Sequence, residues 1–268
     1  MTRPPAVAGH FYSAEPSKLS SDVDSMLAAE RTEKMRCRAC MVPHAGYIYS
    51  GRVAAAVYAR LEIPARLILI GPRHYPRGSS LAILSSGAWE TPLGDAPIDA
   101  ALAEKISRAF PLLREDAVAH GSEHSLEVQL PFLQRAASGW TFVPIVLGPV
   151  RYEQLAELGR AVAEVIRAET EPVLLIASSD MNHYESDEIT RVKDRKALER
   201  ITALDPQGLY DVVRKEDISM CGYGAAVVML EAARGLGAAP PELVRYATSG
   251  EINGDLSRVV GYAGVVIR

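Results

Sequence analysis

The chain has 268 residues and a net charge of −4, with 48% hydrophobic and 23% charged residues, values that exclude disordered and fibrous classes. Its three cysteines, Cys37, Cys40 and Cys221, are too few for a disulfide framework and fit a reducing, cytoplasmic setting. No apolar run reaches the roughly 18–20 residues of a membrane span, and the opening MTRPPAVAGHFYSAE has no secretory apolar stretch.

Short apolar runs alternate with amphipathic stretches, the pattern of an α/β sheet with helices on its faces. Leu19, Val23, Met26 and Leu27 recur at helical spacing and predict a helix over Pro16–Glu30. A strand at Cys40–Pro43 precedes a helix at Arg52–Leu61. Strands follow at Leu67–Ile70 and Leu81–Leu84. Helical patterns cover Asp99–Phe110, Ser125–Ala137 and Tyr152–Arg167, and strands are expected at Trp140–Leu147 and Val173–Ala177. Helices are then expected over Glu188–Leu204, Pro206–Arg214 and Gly224–Gly235. Two β runs, Leu243–Ala247 and Val259–Ile267, close the chain around the turn-rich SGEINGD. Repeats and linkers are absent, so residues 1–268 read as one domain with a mostly parallel or mixed sheet.

Strand–helix–strand units bring their strands parallel, with the C-terminal ends on one side of the sheet, where open α/β sheets bind ligands. His44 follows one such strand, His74 the next, and Asp180 a third. Each histidine alone reads equally as a loop cap; two on parallel strands make the commoner functional reading, a metal ligand, the sharper one. SSDMNHYE sets Asp180 three residues before His183, either a helix cap with a surface histidine or an acid–base pair whose carboxylate orients the imidazole. In GSEHSLEVQLPFL, His124 and Glu127 share a helix face if the segment is helical, while Ser122 and Ser125 offer a plain N-cap. Cys221 precedes an apolar helix. It is either a thiol lowered in pKa by the helix N-terminus or a small buried hydrophobe.

Other chemistries are set aside. The Cys37–Cys40 pair lacks a second pair for zinc and leads into a strand, unlike a redox C-x-x-C. Neither a G-x-S-x-G elbow nor an H-E-x-x-H helix occurs. Gly46–Val53 is near a P-loop, but Arg52 and Val53 replace its lysine and hydroxyl. The arginines are dispersed among acids, and even the densest basic run, Arg31–Arg38, includes Glu33, so the footprint of nucleic-acid binding is missing.

The segments RPPAVAGHFY, VPHAGYIYSG, IGPRHY, GSEHSLEVQLPFL, SSDMNHYE, MCGYGAA and YATSGEINGD…VVGYAGVVI together resemble the Memo-like proteins, whose prokaryotic members are named AmmeMemoRadiSam system protein B. The resemblance runs through nearly the whole chain. It implies a fold related to the class III extradiol dioxygenases, non-haem iron enzymes that split catechol rings. By motif it implies a metal held by His44, His74 and Cys221, with His124, His183 and Asp180 facing the substrate. The ring-cleaving enzymes use a carboxylate as third ligand; a thiolate is softer and suits copper(I), zinc or a differently tuned iron. The expectation is a metal-dependent oxidoreductase with Fe(II), or else Cu or Zn, acting on a small molecule or peptide. A binding or scaffold module on the same fold and a zinc-dependent hydrolase are the alternatives. Prokaryotic relatives are often encoded near a radical-SAM protein, which implies a functional link. Within the site, His183 is expected to carry protons under the guidance of Asp180, and His124 to hydrogen-bond substrate or O2.

Overall fold

The computed structural model describes residues 2–30 and 32–268; Arg31, which opens the basic run noted above, lies outside the described residues. In chain order the elements are β1 (Thr2–Arg3), α1 (Pro16–Ala28), β2 (Ala39–Val42), α2 (Tyr47–Tyr58), β3 (Arg66–Pro72), β4 (Leu81–Ile83), β5 (Ala88–Thr91) and β6 (Gly94–Pro97). Next come α3 (Ala100–Ala109), β7 (Arg114–Glu115), α4 (Ala117–Gly121), a 3-10 turn (Glu127–Gln129), α5 (Leu130–Ala136), β8 (Thr141–Leu147), α6 (Tyr152–Ala168) and β9 (Val173–Ser178). The rest are β10 (His183–Glu185), α7 (Asp187–Thr202), α8 (Pro206–Lys215), α9 (Tyr223–Gly235), β11 (Glu242–Thr248), α10 (Gly250–Asn253) and β12 (Val259–Ile267).

The main sheet runs β10-β12-β2-β9-β3-β8-β4-β7, with β11 also paired to β12. Its centre is parallel: Val42 lies beside Ser178, Ile70 beside Ala177, and Pro72 beside Leu147. The flanks are antiparallel, β12 against β2 and β4 against β8, so the sheet is mixed. A small sheet, β1-β5-β6, stands apart from it.

Side chains alternate between two buried faces, as pleating requires. Met41, Ile68, Ile70, Val143, Ile145 and Leu175 join one apolar cluster with residues of α3, α6, α7, α8 and α9. Cys40, Val42, Leu67, Leu69, Leu174 and Ile176 join the other with residues of α1, α2 and α5. Burial of both faces explains why these strands read as unbroken apolar runs. Among the described residues, no helix is long and apolar enough to cross a membrane.

Three expectations from sequence need correction. The helix expected from Arg52 begins at Tyr47, because Tyr47 and Ser50 are buried and extend the packed face. The helix expected over Ser125–Ala137 is a 3-10 turn followed by α5, which has a proline in its first turn, where its missing N–H costs nothing. The SGEINGD stretch holds a single helical turn, α10, ended by Gly254 at φ 75°.

Asp194 on α7 ties the flank together. Its carboxylate accepts from the Asn182 backbone N–H at 2.8 Å and the Tyr246 hydroxyl at 2.7 Å. Burial pushes its pKa up to about 6 against the pull of both bonds. A carboxyl raised above its unfolded value of 3.8 stabilises the fold when protonated, and that contribution is lost as pH rises through about 6. The Asp194→Asn variant should therefore gain on the wild type, by up to about 3 kcal/mol, between pH 4 and pH 7.5. Urea unfolding at both values checks this; a stability difference independent of pH refutes it.

Candidate metal centre and its cleft

β2, β9 and β3 are neighbours, and their C-terminal ends deliver His44, Asp180 and His74 to one rim. His44 is only 1% exposed. Its backbone N–H donates to Asp180 Oδ1 at 2.7 Å, and its Nδ1 lies 2.9 Å from Ser178 Oγ. That hydroxyl gives its single proton to the Ser125 carbonyl at 2.6 Å and accepts from Gln129 Nε2 at 2.8 Å. It is therefore an acceptor toward His44, so the ring proton sits on Nδ1 and the Nε2 lone pair is bare. Burial, then the neighbouring His74, hold the His44 pKa well below its usual value, which keeps the ring neutral.

His74 is fixed by the same logic through a different group. Its Nδ1 lies 2.9 Å from Glu123 Oε1, and its backbone N–H donates to Oε2 at 2.6 Å. A carboxylate only accepts, so Nδ1 carries a proton, and Nε2 is the nitrogen left to serve as a ligand. Glu123 also accepts the backbone N–H groups of His124 at 2.9 Å and Ser125 at 2.8 Å. Burial would raise its pKa, but the bond to His74 and the charges of His74 and His124 bring it down to about 2. Sequence reading passed over Glu123. The signal was available in its position beside His124 in GSEHS.

Cys221 reaches the rim from the loop before α9. Its Sγ lies 3.3 Å from His44 Nε2, and the Asp180 backbone N–H donates to it at 3.3 Å. A Cβ on Gly222 would stand 2.3 Å from the Ser178 carbonyl, so only glycine lets this loop come so close. The donor atoms of His44, His74 and Cys221 all lie within 4.8 Å of one another. Of the two readings of Cys221, the thiol lowered in pKa is not the one this environment produces. Burial, followed by the Asp180 charge, pushes Cys221 well up, and a cation among the three donors is what would reverse that.

His124 stacks on His74 at 4.4 Å between centroids and packs against Phe11 at 4.8 Å. Burial, with His44 next, lowers its pKa to about 4, so it too is neutral. Its Nδ1 is buried without a hydrogen-bond partner among the described residues. His74, Glu123 and His124 form a second group of donors within 4.8 Å. All of Glu123's oxygens already serve N–H donors, so an ion there would cost those bonds; the first group carries no such cost. Glu127, paired with His124 in the sequence reading, turns away instead. It accepts from Arg3 Nη1 at 2.8 Å, from the Ala6 and Val7 backbones, and from the Tyr12 hydroxyl. It anchors the N-terminal segment that carries Phe11.

His183 lines the same cleft, but Asp180 is not what orients it. Its Nδ1 lies 2.9 Å from the Ser219 carbonyl, and its backbone N–H donates to Ser219 Oγ at 2.7 Å. Asp180 spends one oxygen on His44, and burial pushes its pKa up against the charges of His183 and the other histidines. The cleft encloses about 730 Å³ and adds Tyr49, Tyr184, Arg258 and Tyr262 to the histidine cluster. His120 lies elsewhere, packed edge-on against Trp89 with its Nδ1 on the Asp116 carbonyl.

The fold and the donor cluster thus define an α/β protein with a candidate metal centre at its parallel strand ends. The chain belongs to the Memo-like protein family, whose model matches residues 3–266. It is 43% identical over 265 residues to a MEMO1 family protein of Aquifex aeolicus, with 98% of each chain covered. To a MEMO1 family protein of Methanopyrus kandleri it is 40% identical over 281 residues, covering 100% of this chain and 99% of the relative. The crystal structure of an uncharacterized protein, JW3007, from Escherichia coli K12 superposes with a TM-score of 0.55 and 16% identity, over 85% of this chain and 99% of that one. At that identity the likeness is one of fold alone.

The role of Glu123 is open to a direct measurement. Glu123→Gln keeps the shape but loosens the hold on His74 Nδ1, and such supporting partners are typically worth about 10- to 100-fold in metal affinity. Titration with Zn(II), followed calorimetrically, should show that loss with the circular dichroism spectrum unchanged. Wild-type affinity in the variant would mean that the carboxylate does not serve the site.

Proposed function

We propose that this protein is a metal-dependent oxidoreductase whose ion, Fe(II) first and Cu or Zn as the alternatives, is held by His44, His74 and Cys221. One observation carries the reading: two imidazoles have Nδ1 committed to protein partners, leaving Nε2 as the ligating atom, and a thiol stands 3.3 Å from one of those nitrogens. The donor atoms of the three side chains lie within 4.8 Å of one another, close enough for one ion to be held by all of them. An Fe(II) ion bound there would supply redox chemistry with O2, since three protein donors leave coordination positions open.

The surrounding residues support chemistry beyond ion storage. His183 has Nδ1 fixed by Ser219, so Nε2 is the atom through which it accepts and returns a proton. His124, neutral at working pH, offers a hydrogen bond to bound substrate from beside His74. Asp180 holds the His44 backbone in place and sets where that ring enters the rim. A zinc-dependent hydrolase would use the same donors to activate water, and a binding module would need no open position. Metal identity and oxygen uptake separate the three.

Metal analysis of protein purified without oxygen or chelator should find Fe(II), and oxygen uptake over a panel of catechols and phenols should follow the iron content. His44→Ala and Cys221→Ser should lose the metal while the fold stays intact, since the ligands sit on loops. His183→Ala should keep the metal and lower turnover by about 10²–10⁴-fold. Zinc without oxygen uptake would overturn the oxidoreductase in favour of the hydrolase. Metal loss in His183→Ala would make His183 a ligand.

A further inference from the structure

The cleft carries a second set of features that metal binding does not explain. Tyr184 follows His183 and has φ 64°, a left-handed conformation that is strained for a bulky side chain. Its place in the sheet is irregular: His183 pairs with Val260 and Glu185 with Val259, so Tyr184 is the extra residue of a bulge. Bulges next to sites re-aim side chains. Here the bulge leaves the tyrosine ring at the cleft, 64% exposed. An exposed aromatic ring bought with backbone strain is not a packing device.

Arg258 lies over that ring, with its Cζ 5.0 Å from the centroid. The guanidinium lines the cleft, and no carboxylate salt-bridges it among the described residues. It is the one lysine or arginine in the lining, where Asp180 is the one carboxylate and is already bonded to the His44 backbone. With Asp180 bonded to the His44 backbone and Glu123 to His74, Arg258 is the cation of the cleft wall left open to an incoming anion. A single guanidinium offers one planar fork, which matches a carboxylate. Phosphate dianions call for more positive charge than this wall supplies. A volume of about 730 Å³ suits a small molecule.

We infer that Arg258 and Tyr184 form the substrate clamp: the cleft takes a small aromatic carboxylate, its acid group forked by Arg258 and its ring packed beside that of Tyr184, with the other end toward His44, His74 and Cys221. The clamp names the substrate class for the oxidoreductase proposed above and rests on this cleft being that reaction's site. Arg258 is a binding and specificity residue. Tyr184 supplies an aromatic contact beside Arg258, and the bulge sets where its ring stands.

Binding alone tests the clamp, without turnover. The probes are 4-hydroxybenzoate, its neutral amide 4-hydroxybenzamide, and phenyl phosphate, titrated by saturation-transfer NMR into the protein as purified and after metal removal. The acid should bind at least about tenfold more tightly than the amide in both forms, as a charge-assisted fork implies. Arg258→Gln should erase that preference while metal content stays at the wild-type level. Tyr184→Gly should weaken acid and amide alike, by roughly 2- to 10-fold for a lost stacking partner, while thermal stability holds or rises as the φ strain is relieved. Equal binding of acid and amide would overturn the proposal, as would a preference that survives in Arg258→Gln or tighter binding of phenyl phosphate than of the acid. A preference that disappears on metal removal would place the carboxylate on the ion and also overturn it. Failure of the metal reading looks different, because the Arg258-dependent preference would then persist in protein that binds no metal.

Discussion

Parallel pairing of β2, β9 and β3 is the constraint on which the rim depends. Neighbouring strands lie about 4.8 Å apart, so β2 and β3 deliver His44 and His74 from backbones about 10 Å apart with β9 between them. Two imidazoles can meet across that gap only by leaning over the end of β9. That end is Ser178, followed by Ser179, both small, and the ring centroids come to 5.2 Å. Ser178 then does more than stay small, since its hydroxyl receives His44 Nδ1 and passes its own proton to Ser125. Gly222 completes the arrangement by letting the Cys221 loop down onto the same strand end. The sheet sets the distances, and two serines and a glycine turn those distances into contacts.

Burial has opposite consequences for the groups gathered there. It keeps His44 and His124 neutral, so their lone pairs are available without any proton being expelled. It would also neutralise a lone carboxyl, yet Glu123 is charged because four N–H groups converge on it. The negative charge thus sits behind the imidazoles and raises their basicity as donors. Only the thiol is left in its unreactive form by the protein alone.

How far this was legible in the sequence depended on the kind of signal. Apolar runs bounded by glycine and proline fixed the central strands, and the direction of strand–helix–strand units placed His44, His74 and Asp180 at one edge before any contact was known. Glu123 escaped because a carboxylate beside a loop histidine has no periodicity; its meaning lies in the four donors that fold around it. Glu127 misled for the converse reason: helical spacing suggested a partner for His124, whereas a 3-10 turn points its carboxylate to Arg3 and Tyr12. The orientation of His183 could not be read from the nearby Asp180, since its partner, the Ser219 carbonyl, is 36 residues away. Nor does local pattern announce the bulge at Tyr184, which exists only as a mismatch of register with β12.

The two donor atoms that stand 3.3 Å apart, on His44 and Cys221, are separated by 177 residues of chain. At about 5–20 residues per second, a ribosome makes the cysteine roughly 9–35 s after the histidine. The final strand, β12, pairs with β2, so the edge beside His44 is completed later still. Through that interval a nascent chain has the two histidines but not the thiol beside them. An ion that needs all three donors can therefore be bound only by a finished and folded protein.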